Sequence, residues 1–215
     1  MPSSAAIRDG LTAIANAWWP LAVAWHACFL AFVVSVIAGW RPSQRAAALL
    51  LLTPLVSVSA LAWRAGNPFN GAVFGLVSLA LAVLALKLPK EPVRLARPWI
   101  VAAGSLALAF GWTYPHFIQA EHWSTYAYAA PLGLVPCPTL TAVLGMCALL
   151  QIFRARPWSI VLALTGLGYG AIGVFKLGVT LDYGLVAAAV FTLALVASNA
   201  ALKPAASFSA GPVPQ

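Results

Sequence analysis

Tyr126-Ala127-Tyr128-Ala129-Ala130-Pro131-Leu132-Gly133-Leu134-Val135-Pro136-Cys137-Pro138-Thr139-Leu140-Thr141 opens an apolar run of membrane length that continues to about residue 153. Three prolines fall inside it. A proline in a helix removes a backbone donor and clashes with the preceding turn, so this run cannot form one regular helix. Irregular backbone at membrane depth is tolerated only where protein or a water-filled cavity covers it. The segment therefore predicts a helix broken at Pro136-Cys137-Pro138 and places the expected chemistry at the break.

The surrounding sequence supports a membrane setting. Of 215 residues, 62% are hydrophobic and 7% charged, against about 25% charged in soluble domains. A spanning helix needs about 20 apolar residues, and seven such stretches occur, near 18–39, 46–63, 70–88, 98–114, 126–153, 158–176 and 180–199. The expected fold is an all-α membrane protein, a bundle of about seven transmembrane helices whose fifth is the broken one. Residues 1–200 form its single domain, and the Pro/Ala/Ser/Gly-rich residues 201–215 are expected to be a disordered cytoplasmic tail.

Charge sets the orientation. Nine of the twelve basic residues (Arg41, Arg45, Lys87, Lys90, Arg94, Arg97, Arg154, Arg156 and Lys203) lie in alternate loops and the tail. By the positive-inside bias the N-terminus is outside and the C-terminus in the cytoplasm. The net charge of +8 follows from this distribution, so the partner it implies is a lipid bilayer and not a nucleic acid. Cys28, Cys137 and Cys147 all fall within expected spans, which gives no disulfide framework. Ala96–Trp99 and Ala155–Trp158 repeat Ala-Arg-Pro-Trp, read as two interfacial anchors with proline in a helical first turn and tryptophan in the aromatic belt. Gly166 and Gly170 form a small-xxx-small pair that permits close helix approach, most simply within the chain.

With that orientation the rare polar residues collect on the outer side. His116, Glu121 and His122 lie between spans four and five, Lys176 and Asp182 bracket the turn between spans six and seven, and His26 lies in span one. Ionisable groups in a membrane are expensive and mark sites by default. Pro138 suits the first position of the inner half-helix, which makes Cys137 its expected cap residue, with Thr139 and Thr141 beside it. Free N–H groups and the helix dipole there favour a thiolate, whereas apolar burial opposes it. Cys137, His116 and His122 are the residues that could form a transition-metal site if the loop folds back, although their spacing matches no zinc signature. Lys176 and Asp182 also have an ordinary reading, a snorkelling lysine and a carboxylate at a helix start.

The blocks Tyr114-Pro115 through His122, Gly133-Leu134-Val135-Pro136-Cys137-Pro138-Thr139, Leu177-Gly178-Val179 and Asp182-Tyr183-Gly184-Leu185 resemble the bacterial membrane-protein family known as domain of unknown function 6064. Thr139-Leu140 and Glu121-His122 depart from that family's pattern. The resemblance implies a multi-pass protein of the bacterial inner membrane and points to Cys137, His122 and Asp182. It implies no activity.

The leading functional reading is a small transporter, channel or solute-binding membrane protein, more a carrier than an enzyme, with an outward-facing site. Its ligand-binding residues would be Cys137, Thr139, Thr141, His122, Glu121, His26, Lys176 and Asp182, and its ligand a small solute or metal ion. Two alternatives stay open. One is a haem- or quinone-binding redox subunit with His26 and His116 or His122 as axial ligands. The other is an intramembrane thiol enzyme with Cys137 as nucleophile and His122 as base.

Overall fold

The computed structural model describes residues 3–198, and residues 201–215, including Lys203, lie outside them. Among the described residues no strand occurs, and a lone antiparallel bridge joins Ser43 and Pro92. Five helices are long and apolar enough to cross a membrane. They are α2 (Trp19–Ile37), α3 (Gln44–Arg64), α4 (Pro68–Leu86), α8 (Arg156–Ala171, extended by a π-turn Ile172–Lys176) and α9 (Tyr183–Ala197, preceded by a 3-10 turn Thr180–Asp182). Apolar stretches thus become helices where the sequence places them. Prolines and cap residues set several starts: Asn67 Oδ1 accepts from Asn70 N–H at 3.1 Å and Pro68 follows it, the capping arrangement expected of an asparagine before a first-turn proline.

The remaining apolar stretches form shorter helices, α5 (Pro98–Trp112) and α7 (Pro136–Leu149), with the short α6 (Tyr126–Ala129) before α7. Fourteen residues give α7 roughly 21 Å at 1.5 Å per residue, less than the ~30 Å hydrocarbon thickness. Its surroundings are protein. Every residue from Pro136 to Ala148 is buried, so α7 is the central post of the bundle, wrapped by α3, α5, α8 and α9. Glycines let α5 approach it closely. A Cβ on Gly145 would lie 2.5 Å from Leu108 N and 2.7 Å from Gly104 O, and one on Gly111 would lie 2.6 Å from both Ala142 N and Pro138 O. Gly166 and Gly170 are likewise used within the chain, against Leu144 and Val186.

A further helix, α1 (Ser4–Ala17), precedes α2 and has no counterpart among the stretches expected from hydropathy. It turns Leu11, Ile14 and Ala15 inward and leaves Arg8 and Asp9 exposed. A one-sided pattern of this kind marks a surface helix, too polar to register as a span. The two Ala-Arg-Pro-Trp copies also diverge. Trp99 is exposed as a belt residue should be, but Trp158 is wholly buried, so the second copy anchors α8 into the bundle instead of at the interface.

Candidate functional site

The irregular segment between α6 and α7 is covered by protein. Gly133 takes φ +74°, and a Cβ there would sit 2.2 Å from the Trp25 ring. Only glycine fits, because both the left-handed backbone and the ring of α2 exclude a side chain. The segment is tied down by Thr139, whose hydroxyl accepts from Gly133 N–H at 2.8 Å and donates to Val135 O at 2.7 Å. Val135 is the N-cap of α7 and Pro136 its first residue, so Cys137 is the second helical residue and not the cap. Pro138 is third, still within the turn whose N–H groups have no helical partner.

Cys137 faces a carboxylate. Its Sγ donates to Asp182 Oδ2 at 3.2 Å, and Tyr114 Oη donates to Asp182 Oδ1 at 2.6 Å. Asp182 and Tyr114 are 0% exposed and Cys137 6%. The three come from distant places: the loop after α5, the start of α7, and the turn before α9. Asp182 occupies the α9 N-cap position but makes no side-chain cap bond. Its side chain instead reaches Tyr114, after α5, and Cys137 of α7. The approach is close, since a Cβ on Gly173 would lie 1.7 Å from Asp182 Oδ2. The π-turn carrying Gly173 is wound onto the site by Val179 N–H donating to Gly173 O at 2.9 Å.

His116 stands at the rim, its ring 4.3 Å from that of Phe117 and 6.5 Å from that of Tyr114. Partial burial lowers its proton affinity below the ordinary histidine value; the Asp182 carboxylate opposes this and Arg8 reinforces it. A buried carboxylate is costly unless paired or hydrogen-bonded, and here the two oxygens are held by a hydroxyl and a thiol.

Helix α1 lies over the loops that carry this cluster. Ser4 Oγ donates to Lys176 O at 2.8 Å and Arg8 Nη1 to Leu177 O at 3.0 Å. Asn16 donates to Phe117 O and accepts from Gln119 N–H, both at 3.0 Å. If α1 is the cover, the Arg8→Ala, Asn16→Ala double variant, which removes three of these bonds, should speed alkylation of Cys137. At a net ~1 kcal/mol each, the expected rise is on the order of a hundredfold. Site-resolved mass spectrometry reads it, with Cys147 as internal reference. An equal rise at Cys147 would mean general loosening, and no rise at Cys137 would remove the cover.

The other residues singled out by sequence are not drawn in. Glu121 and His122 are exposed, and Lys176 is exposed with its carbonyl taken by Ser4. Thr141 donates to Cys137 O at 2.7 Å, so both threonine hydroxyls serve the backbone. His26 is buried, with Nδ1 2.8 Å from Ala22 O and Nε2 2.9 Å from Trp112 O. With a carbonyl at each ring nitrogen it does not fit a haem axial ligand; it clasps α2 to α5. Among the described residues no group of three His, Cys, Asp or Glu side chains could hold a metal ion, so Cys137, His116 and His122 do not assemble as a metal site.

No family model, curated protein or solved structure matches the chain. The site is therefore defined by its geometry. Sequence reasoning quoted Tyr114 only within the block that carries the resemblance and gave it no role in a site, and it did not single out Gly173. The signal for both was their closeness to other rare residues: Tyr114 precedes His116 by two, and Gly173 precedes Lys176 by three.

Proposed function

We propose that the chain crosses the bacterial inner membrane seven times, N-terminus outside, with residues 126–149 as one interrupted crossing. In this reading it is a small transporter or solute-binding protein whose closed site centres on Asp182. The observation that carries the reading is a fully buried carboxylate held by neutral donors, Tyr114 and Cys137, at the junction of α5, α7 and α9. A buried carboxylate with no cationic partner is costly to keep in a fold. Its retention suits a task in which the negative charge takes up a proton or a small cation. The π-turn against the carboxylate supports this, because π-bulges recur at functional sites. The blocks that carry the resemblance to the domain of unknown function 6064 family supply Tyr114, Cys137 and Asp182 together.

The test is thermal denaturation of the detergent-purified protein against a panel of monovalent and divalent cations and small cationic solutes. One class should raise the melting temperature of the wild type and leave Asp182→Asn unmoved. A ligand at 100 times its Kd stabilises by about 2.7 kcal/mol, a shift of several degrees. No shift with any member, or the same shift in Asp182→Asn, would overturn the reading.

A further inference from the structure

At the opposite end of the bundle from Asp182, the connection between α4 and α5 runs extended and is fixed on both sides by backbone bonds. Gln44 N–H donates to Glu91 O at 2.8 Å and Val93 N–H to Pro42 O at 2.8 Å, joining it to the start of α3. Ala96 N–H donates to Leu149 O at 3.0 Å, and Gln151 Nε2 to Leu95 O at 2.7 Å, joining it to the end of α7. The result is a pre-formed cleft of about 230 Å³ lined by Gln44, Glu91, Arg94, Leu150, Gln151 and Arg154. Gln151 reaches it from a left-handed backbone, φ 54°, unusual for a residue other than glycine.

Size and charge narrow what fits. At ~30 Å³ per water the cleft holds roughly eight waters, and it falls below the ~300–1,000 Å³ of drug-sized pockets. That is the scale of a headgroup. Its lining is mixed: the Arg94 guanidinium suits a phosphate, which it can grip with paired N–H donors, while the Glu91 carboxylate would repel a purely anionic ligand and attract an ammonium. The level also fits a headgroup, since the exposed Trp40 and Trp99 flank the same helix ends, where belt tryptophans sit.

We propose that this cleft binds a phosphate joined to a primary ammonium, the phosphoethanolamine headgroup of a membrane lipid. The phosphate is held by Arg94, and the ammonium by Glu91 with the amide oxygens of Gln44 and Gln151. The site is independent of the one at Asp182.

Native mass spectrometry of the full chain in detergent tests it, using dioleoyl phosphatidylethanolamine, phosphatidylcholine and phosphatidylglycerol as probes. Retention of the ethanolamine lipid should exceed that of the other two by roughly tenfold or more, the effect of one charge-assisted hydrogen bond. Quaternary choline has no N–H to give Glu91, and glycerol has no charge. Glu91→Gln should erase this preference, and Arg94→Gln should lower retention of all three, with melting temperatures unchanged because the side chains of Glu91 and Arg94 make none of the fixing bonds. Arg97→Gln, outside the cleft, is the control. Equal retention of the three lipids, or unchanged retention in both cleft variants, would overturn the proposal. Displacement of the lipid by free phosphoethanolamine at equal concentration would overturn the lipid source and assign the cleft to a soluble phosphoamine. Displacement by inorganic phosphate alone would overturn the role of Glu91.

Discussion

Gly173→Ala should dismantle the Asp182 cluster. The added methyl would occupy a point 1.7 Å from Asp182 Oδ2, 2.6 Å from Cγ and 2.9 Å from Cβ, so neither a rotamer change nor a small shift clears it. Either the carboxylate leaves Tyr114 and Cys137, or the π-turn moves away from α9. Overpacking alone costs about 1–3 kcal/mol, and stranding a buried polar group without its hydrogen-bond partners adds to it. The expected loss is about 3 kcal/mol or more, read as a fall of several degrees in melting temperature, with any Asp182-dependent ligand response abolished. Asp182→Gly in the same chain removes every atom the methyl meets. The double variant should therefore lose much less than the sum of the single changes, the non-additivity of groups in contact. A Gly173→Ala protein as stable as wild type would show that Gly173 and Asp182 do not touch.

Gly145→Ala is expected to be nearly as damaging for a different reason. Here the new Cβ meets backbone: Leu108 N at 2.5 Å and Gly104 O at 2.7 Å. Backbone cannot rotate aside as a side chain can, so α5 and α7 must separate, and α7 has no lipid-facing surface to fall back on. A loss of about 3 kcal/mol is expected, at the upper end of overpacking effects. Gly168→Ala is the matched control, because nothing lies within 4 Å of its Cβ position. That change should be neutral or stabilising by about 0.5–1 kcal/mol, the helix preference of alanine over glycine. Equal effects at the two positions in denaturant or thermal unfolding would count against the close α5–α7 contact.

Composition and pattern determined the class of this protein. Apolar runs of membrane length must become helices where no water can satisfy the backbone, and they do so in α2, α3, α4, α8 and α9. The prolines at 131, 136 and 138 determined that no regular helix passes from Tyr126 to Leu149, because the chemistry of that imino acid is local. Cys137 and Asp182 stood out in the sequence too, since ionisable groups and thiols are scarce in such a chain.

What decided the site was contact across long stretches of sequence. Tyr114, Cys137 and Asp182 are separated by 68 and 45 residues from donor to carboxylate, and no local pattern says which polar residues meet. Glu121 and His122 look equally suited by residue type and end up exposed. The burial of α7 on all sides follows from its neighbours, as does the use of Thr139 and Thr141 on backbone. Helix α1 escaped notice because a half-polar helix carries no hydropathy signal. Hydropathy and proline act within a few residues and can be read along the chain, whereas the pairing of a carboxylate with its donors depends on which helix ends the packed bundle brings together.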